Sequence, residues 1–253
     1  MEIKQLKRDF NSAWLKFSFD TLFRLARDPW QYTSSYEQWK YEQELQLIPP
    51  TSISQALELG CAEGIFTVQL AARVEELVAA DISTIALTRA NQRCVLQQCD
   101  NVRLIQFDIT QDELPSQRFD LIICSEILYY VGNRAMLQEV AKKLAQALKP
   151  NGYLLTSNDY RVKTSVQNGE KLGKSRVFGA EAIGAALSAT SLQLMKVVRT
   201  PYHCTHLFQR SLPSSVPGLL PEVVSFTEAE VPRPQMGVFD WFSVAAIAKL
   251  WRR

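Results

Sequence analysis

The chain has 253 residues, of which 47% are hydrophobic and 21% are charged, and its formal net charge is +2. This length suits one or two domains whose core needs no disulfide, and a content of only 10 glycines and 11 prolines excludes collagen and low-complexity disorder. Because so balanced a charge disfavours binding through a broad basic field, we expect no nucleic-acid partner.

The cysteine pattern predicts a reducing compartment. Five cysteines stand at positions 61, 94, 99, 124 and 204, an odd number with no CxxC pair. No stretch contains the roughly 18 continuous apolar residues that a membrane-spanning helix needs. The charged, aromatic N-terminus does not resemble a signal peptide. We therefore expect a cytoplasmic protein without a transmembrane segment.

The first 50 residues are predicted to be helical and are rich in aromatic side chains. Phe10, Trp14, Phe17 and Thr21 fall on one helical face. That spacing indicates a helix that packs against the rest of the protein, and the sharper interpretation is a lid over a binding site.

Between residues 55 and 210, short β-branched runs alternate with amphipathic stretches. The helix predicted at 133–149 carries one apolar stripe, and Lys149-Pro150-Asn151-Gly152 is expected to end it. Ser83 is suited to cap another helix. Alternating strands and helices predict a parallel α/β sheet with helices on both faces. The predicted strands are residues 56–59, 77–80, 102–107, 119–124 and 153–156.

The pattern changes after the fifth strand. A helix at 180–189 precedes two consecutive strands at 192–200 and 202–211. A hairpin there would place one antiparallel strand near the C-terminal edge of the sheet. Residues 212–253 begin with prolines and end with apolar residues, which predicts an extended segment and a short closing helix. This extension either packs on the core or contacts a protein partner, a second copy of the chain or a membrane surface.

Residues that could bind a ligand directly follow the first four strands. In parallel sheets, ligands bind beyond the carboxyl ends of the strands. Gly60 and Gly64 lie in a turn after the first strand, and Asp81 ends the second, 21 residues after Gly60. An acid at that spacing accepts hydrogen bonds from ribose hydroxyls. Asp108, after the third strand, could accept from an adenine amino group, so the set predicts an adenosine pocket.

The first turn distinguishes between adenosine cofactors. It reads Glu58-x-Gly60-x-Ala62-x-Gly64 instead of the dinucleotide pattern G-x-G-x-x-G, and its leading acid would repel a pyrophosphate but suits an amino group. With Phe119-Asp120-Leu121-Ile122, then Ser125-Glu126, and the residues 148–152, it resembles the class I S-adenosylmethionine-dependent methyltransferases over roughly residues 50–210. The family's usual middle glycine is Ala62 here. A nicotinamide-dependent dehydrogenase is a remote alternative.

This resemblance implies a Rossmann-like α/β fold with a mainly parallel seven-stranded sheet and one antiparallel strand near its C-terminal edge. It implies S-adenosylmethionine as cofactor and S-adenosylhomocysteine as product. For Asp108, the alternative is a helix cap. The residues expected to bind the cofactor in this domain are Gly60, Cys61, Gly64, Asp81, Ile82, Asp108, Ile109 and Ser125.

A narrower resemblance is carried by the segments 28–32, 34–41 and 125–130. These segments resemble the nodulation protein S group, whose members are similar to N-methyltransferases acting on the free amine of a chitooligosaccharide. The resemblance places Trp30 against the cofactor and Lys40 at the methionine carboxylate, and Tyr36 is also expected to bind the cofactor. The chemistry agrees, since a cation pairs with a carboxylate and an aromatic face attracts a sulfonium. The alternative is that the aromatics only pack the N-terminal segment and that Lys40 is a surface lysine.

Glu126 and Tyr129 follow the fourth strand and are our candidates for catalysis. An amine must be neutral to attack a methyl group, so a nearby carboxylate or phenol could take its proton. In the alternative, Glu126 anchors a helix and Tyr129 belongs to the core. The predicted reaction is N-methylation of a small acceptor, possibly a saccharide in nature. An O-methyltransferase and a non-catalytic cofactor-binding partner in a biosynthetic complex are the alternatives.

Two further motifs are interpreted as not functional. The segment 169–175 resembles a phosphate-binding loop but has three residues between its glycines where four are required. His203, Cys204 and His206 suggest a metal site, but residues 203 and 206 of a strand point to opposite faces, so we expect no metal. The chain is thus divided into an N-terminal lid at 1–50, a cofactor-binding domain at 51–211 and a C-terminal extension at 212–253.

Overall fold

A computed structural model of the protein describes residues 3–160, 178–211 and 220–234, with only the backbone of residues 3–10. The described residues form six α-helices and eight strands. The helices are α1 (Ile3–Leu25), α2 (Ser35–Leu47), α3 (Ile65–Ala71), α4 (Thr84–Leu96), α5 (Arg134–Ala147) and α6 (Ala180–Ser188). The strands are β1 (Gln55–Leu59), β2 (Glu76–Asp81), β3 (Val102–Gln106), β4 (Phe119–Cys124), β5 (Leu148–Asp159), β6 (Leu192–Arg199), β7 (His203–Arg210) and β8 (Glu222–Ser225).

All eight strands lie in one sheet, in the order β3-β2-β1-β4-β5-β7-β6-β8. Within the described sheet, β7 alone runs antiparallel, against β5 on one side and β6 on the other. The predicted α/β sheet and its antiparallel strand are therefore confirmed, but the prediction of seven strands is wrong. The eighth strand, β8, pairs in parallel with β6. Its four residues, three of them exposed, follow Pro221 and carry no clear alternation of apolar and polar residues, so no sequence pattern predicts this strand.

Helices cover both faces of the sheet, as predicted. In β4, Leu121 and Ile123 point towards the helices α2 and α3, whereas Ile122 and Cys124 point towards α5 and α6. All four side chains are at most 1% exposed. A strand that is buried on both faces reads as a continuous apolar run, which is why this strand was predicted with its correct ends.

The helix ends follow the capping residues. Ser83 accepts a hydrogen bond from the backbone N–H of Ala86 and caps α4, as predicted. Asn133 caps α5 in the same way. The helix predicted at 133–149 ends at Ala147, and the expected break at residues 149–152 instead lies inside β5, where Asn151 has a φ of 63°.

The predicted packing face of the N-terminal helix is wrong in one position. Phe17 is 47% exposed, whereas Ser18, Leu22 and Phe23 are buried. The contact face of α1 is therefore rotated towards α4, to which it is tied by polar contacts described below. No helix in the described ranges is both long and apolar enough to cross a membrane.

Candidate active site

The turn between β1 and α3 is built around two glycines. Gly60 and Gly64 have φ values of +78° and +77°, a region that other residues rarely adopt. A Cβ atom on Gly60 would lie 2.4 Å from Cγ2 of Ile127, and one on Gly64 would lie 3.0 Å from Ala90. The backbone N–H groups of Gly60 and Cys61 both donate to the carbonyl of Ala80 in β2. The turn is thereby locked to the end of β2.

Asp81 joins this turn to α4. Its Oδ2 accepts from the backbone N–H of Ala62 at 2.9 Å, and its Oδ1 accepts from that of Ser83 at 2.8 Å. Burial raises the pKa of Asp81 to about 6, although these backbone hydrogen bonds oppose the shift. The carboxylate is therefore still mostly ionised at neutral pH. Each oxygen keeps a lone pair with which it can accept a ligand hydroxyl.

The other residues predicted to bind the cofactor after β2 and β3 are Ile82, Asp108 and Ile109. All three accept hydrogen bonds from groups of the protein itself. Asp108 accepts from the backbone N–H and hydroxyl of Thr110 and from the hydroxyl of Ser12 in α1. It therefore caps a turn, not a helix. The carbonyl of Ile82 accepts from Gln106, and that of Ile109 accepts from Lys143.

Lys40 lies buried at the centre of a second group of residues. Its ammonium is 2.8 Å from Oε2 of Glu37 and 3.4 Å from Oε1 of Glu126, and it lies 5.7 Å from the centroid of the Tyr36 ring. Burial alone would lower the pKa of Lys40, but Glu126 and Glu37 outweigh it and hold the pKa above its ordinary value. Lys40 is therefore a charged, paired lysine and not a surface lysine.

Both candidate catalytic residues belong to this group. Glu126 follows β4 with a φ of 60°, and its backbone N–H donates to the carbonyl of Ser157 in β5. One carboxylate oxygen faces Lys40, and the other accepts from the hydroxyl of Tyr129. The side chain of Glu126 is 32% exposed. It is thus held from two sides and still open to solvent.

A buried glutamate that sequence reasoning missed lies between the two groups. Glu44 of α2 is 1% exposed, and its Oε2 accepts from the hydroxyl of Ser125 at 3.2 Å. Burial raises the pKa of Glu44 to about 8. The available signal was its spacing, since Glu44 stands one helical turn after Lys40.

Aromatic side chains connect the N-terminal segment to this site. Trp30 lies 5.5 Å from Phe23 and 6.0 Å from Phe19, measured between ring centroids. Phe19 in turn contacts Tyr130, which follows β4. Tyr36 instead bonds through its hydroxyl to Nδ1 of His203 at 2.8 Å. The structure therefore brings Trp30 and Tyr36 to the same end of the sheet, but in different clusters.

The two histidines on β7 are separate, as residues on opposite faces of a strand must be. His203 lies against Tyr36, whereas Nε2 of His206 lies 3.5 Å from Sγ of Cys204. In the described ranges, no three His, Cys, Asp or Glu side chains are grouped so as to hold a metal ion. The segment 169–175, which resembles a phosphate-binding loop, and the closing helix predicted near the C-terminus lie outside the described residues.

Comparisons with known proteins agree with this geometry. The family model for Nodulation protein S (NodS) matches residues 22–203. Nodulation protein S from Sinorhizobium fredii is 30% identical over 174 residues, which cover 68% of this chain and 76% of that protein. The protein belongs to the Nodulation protein S family. The two resemblances seen in the sequence, to this family and to class I methyltransferases, are thereby confirmed.

Solved structures support the same assignment. The crystal structure of the N-methyltransferase NodS from Bradyrhizobium japonicum WM9, in complex with S-adenosylhomocysteine, matches with a TM-score of 0.64 and 26% identity. The match covers 76% of this chain and 98% of that one. A shorter match, 28% identical over 112 residues, is to phosphoethanolamine N-methyltransferase 3 from Arabidopsis thaliana, and it covers 44% of this chain and 22% of that protein.

In this NodS-family protein, buried carboxyl groups near the glycine turn are not fully hydrogen-bonded by the described residues. Within the described residues, Oε1 of Glu44 is buried and has no hydrogen-bond partner, whereas the carboxyl group of the buried Glu58 interacts with the hydroxyl of Thr67. Buried polar atoms without partners are costly, so they indicate a donor supplied from outside. Together with the glycine turn and Asp81, they fit a cofactor with ribose hydroxyls at one end and an ammonium group at the other.

Proposed function

We propose that this protein transfers a methyl group from S-adenosylmethionine to the nitrogen of an amino-sugar acceptor. It is an S-adenosylmethionine-dependent methyltransferase of small molecules, as its family and fold show. We infer that the acceptor atom is a nitrogen and that the acceptor is an amino sugar. The observation that supports a nitrogen acceptor is the surplus of carboxylates around Lys40. That NodS of B. japonicum and the Arabidopsis relative are both named N-methyltransferases agrees with it.

The residues that would hold the cofactor lie at the ends of three neighbouring strands. Gly60, Cys61 and Gly64 would form the turn beneath it, and Asp81 would accept from its ribose. Ser125 closes the site after β4, with Trp30 and Tyr36 on the lid side. The bound cofactor supplies an electrophilic methyl group on a sulfonium. We propose that residues 1–50 serve as the lid, because α1 and the segment after it pack across these strand ends.

The charge around Lys40 favours an amine acceptor over a hydroxyl. Even with Glu44 protonated at neutral pH, the two carboxylates of Glu37 and Glu126 face one ammonium. Burial raises the pKa of Glu37, and Lys40 opposes that shift. With both carboxylates ionised, the group carries one negative charge in excess, which a second cation would complete. An amine acceptor arrives as an ammonium ion, whereas a hydroxyl arrives neutral.

Glu126 is the residue best placed to remove the proton from that ammonium. It is partly open to solvent, whereas Lys40 and the hydroxyl of Tyr129 keep its two oxygens in fixed positions. General-base catalysis by such a group typically contributes about 10²–10⁴-fold. Tyr129 donates to Glu126, so we assign it the role of orienting the carboxylate.

The test is methyl transfer to matched acceptors. We expect turnover with a chitooligosaccharide that carries a free amine and none with its fully N-acetylated form or with hydroxylated aromatic acceptors. Glu126→Gln should lower kcat by about 10²-fold or more while S-adenosylhomocysteine binding, measured by calorimetry, stays within a few-fold.

The control for that variant is Glu113→Gln, which changes an exposed glutamate in the connection between β3 and β4. It should leave both readouts unchanged. Methylation of a hydroxyl in preference to the amine would contradict the proposal. Cofactor binding with no turnover on any amine, together with a stable protein partner, would instead favour a non-catalytic binding role.

A further inference from the structure

Two cysteines lie next to each other at the C-terminal end of α4, outside both groups of residues described above. The backbone N–H of Cys99 donates to the carbonyl of Cys94 at 2.9 Å, and that of Gln98 donates to the carbonyl of Val95 at 3.2 Å. Gln98 has a φ of 54°, in the left-handed region. These bonds form a Schellman motif, a helix ending in which the side chains at the positions of Cys94 and Cys99 commonly contact each other.

The motif brings the two cysteines within reach of a disulfide bond. With standard backbone dimensions, the hydrogen bond of 2.9 Å between Cys99 and Cys94 limits the distance between their Cα atoms to about 7 Å. Cysteines within that distance can be joined without a large movement of the backbone. Burial raises the pKa of the Cys94 thiol to about 11, and the neighbouring Cys99 adds to this shift, which agrees with two sulfur atoms that lie close together.

Both cysteines are held in place by the structure around them. Cys94 lies on the buried face of α4 and is 5% exposed. Two residues after Cys99, the side chain of Asn101 donates to the carbonyls of Ala71 and Val74 at 2.9 and 3.0 Å. The segment that carries Cys99 is thereby attached to the end of α3. Groups that are held side by side in this way react with each other at a high effective concentration.

We propose that Cys94 and Cys99 are an oxidation site, at which a peroxide converts the two thiols into a reversible disulfide bond. Cys99 is half-buried and Cys94 is buried, so Cys99 is the thiol that a small oxidant reaches first. In a reducing compartment, disulfide bonds of this kind are usually transient and respond to oxidants. The inference does not depend on the identity of the methyl acceptor.

The reaction takes two steps and consumes one molecule of hydrogen peroxide. The thiolate of Cys99 attacks one peroxide oxygen, the O–O bond breaks, and the departing hydroxide takes up a proton and becomes water. Cys99 is then a sulfenic acid. The sulfur of Cys94 loses its proton and attacks the sulfur of Cys99, the S–O bond breaks, and the hydroxide that leaves takes up a proton as the second water. The two thiols lose two electrons, which reduce the peroxide.

The disulfide bond fastens the end of a helix that supports the glycine turn. A Cβ atom on Gly64 would lie 3.0 Å from Ala90, one helical turn before Cys94, so α4 and the turn are in direct contact. A crosslink stabilises a protein mainly because it constrains the unfolded chain. Under oxidising conditions the pair therefore keeps α4 in place, and the disulfide protects Cys94 and Cys99 from irreversible oxidation.

The test is oxidation of the folded protein with hydrogen peroxide, followed by unfolding, alkylation and digestion with trypsin. Because Arg93 precedes Cys94 and the next basic residue is Arg103, one tryptic peptide contains both cysteines. We expect mass spectrometry to show that this peptide has lost two hydrogen atoms, escapes alkylation and regains both thiols with dithiothreitol. Oxidation should raise the melting temperature of the protein by about 4–8 °C.

Two variants and a matched control identify the cysteines involved. Cys99→Ser and Cys94→Ala should each abolish the crosslink and the rise in melting temperature. The control is Cys124→Ala, which removes a buried thiol whose pKa is raised by burial alone. This variant should form the crosslink as completely as the parent protein does.

Three results would overturn the proposal. In the first, the tryptic peptide that follows Arg93 contains no disulfide after oxidation of the parent protein. In the second, the crosslink joins other partners, such as Cys94 and the nearby buried Cys61, or Cys99 of two molecules. In the third, the expected disulfide forms but the melting temperature falls, which would mean that the bond strains the end of α4.

Discussion

Ile127 and Gly60 approach each other more closely than any side chain at position 60 would allow. The residue after the catalytic candidate Glu126 thus rests directly on the turn that follows β1. Contact between these two residues sets the distance between this turn and Glu126, the base that we propose acts on the acceptor. A methyl transfer requires reacting atoms about 3–3.5 Å apart, so this distance matters for the reaction.

We predict that Gly60→Ala lowers stability and abolishes cofactor binding. The new Cβ would collide with Ile127, and its φ of +78° adds a cost of about 1–2 kcal/mol. The control is Gly132→Ala, since Gly132 has a φ of 90° but nothing within 4 Å of a Cβ. Thermal melting should show a larger loss for Gly60→Ala, and calorimetry should show lost S-adenosylhomocysteine binding for that variant alone. Equal behaviour of the two variants would mean that the contact with Ile127 is unimportant.

The residues that sequence patterns could identify are those whose role is set locally. The glycine turn and Asp81 belong to a pattern in which spacing alone determines geometry, and the structure joins them by hydrogen bonds. Glu44 could not be identified in this way, because its partner Ser125 is 81 positions away. Whether a glutamate on an amphipathic helix faces solvent or a site depends on which strand end it meets.

At the scale of elements, α4 connects the N-terminal helix to the turn between β1 and α3 through polar contacts. Asp20 of α1 accepts from the hydroxyl of Ser83 at 2.6 Å, at the start of α4. Further along α4, Arg89 donates to the carbonyls of Phe23 and Ala26 at the end of α1 and pairs with Glu63 in the turn between β1 and α3. Arg89 thus satisfies helix-end carbonyls and a buried carboxylate at once.

We predict that Arg89→Met loosens α1 and weakens cofactor binding together. Loss of charged hydrogen bonds to α1 and to Glu63 should raise the opening equilibrium of α1 by about 10- to 100-fold. Hydrogen exchange should show faster exchange confined to α1 and the turn, and S-adenosylhomocysteine affinity should fall. Arg103→Met, at an exposed position on β3, is the control. Unchanged exchange in α1 would show that Arg89 does not hold the helix.

Element prediction succeeded where burial is complete and failed where pairing is distant. The fully buried β4 was predicted with its correct ends. The contact face of α1 was misjudged at Phe17, because polar contacts to α4 determine its rotation as much as apolar spacing does. The strand β8 depends on pairing with β6, about 25 residues earlier in the chain, and its own four residues contain too little pattern to reveal it.

For the whole molecule, the buried carboxyl groups of the site make stability depend on pH. Burial raises the pKa of Glu44 to about 8 and of Glu58 to about 7, above their ordinary value of 4.5. The folded state therefore binds more protons than the unfolded state, and the free energy of unfolding falls as the pH rises through these values. Buried His203 and His206, whose pKa values fall to about 3 and 4, act in the opposite direction, but only at acidic pH.

We predict a decrease in stability between pH 7 and pH 8 that depends on Glu44. In this range the histidines are largely neutral in both states, and one titrating carboxyl group changes the free energy of unfolding by at most about 1.4 kcal/mol per pH unit. Denaturant titrations should show this decrease in the parent protein and a smaller decrease in Glu44→Gln, in which Glu58 still titrates near pH 7. The same slope in both proteins would show that Glu44 is not protonated in the folded state.

The short strand β8 also has a consequence for how molecules behave in concentrated solution. An uncovered β6 would offer a row of free backbone groups along eight residues, onto which a second molecule could add a strand. In the described part of the chain, β8 occupies that row, and Glu222 pairs with Lys196 at 2.9 Å. What remains outermost is a four-residue strand preceded by Pro221, a poor template for further pairing. This segment therefore disfavours pairing of a second molecule along this edge of the sheet.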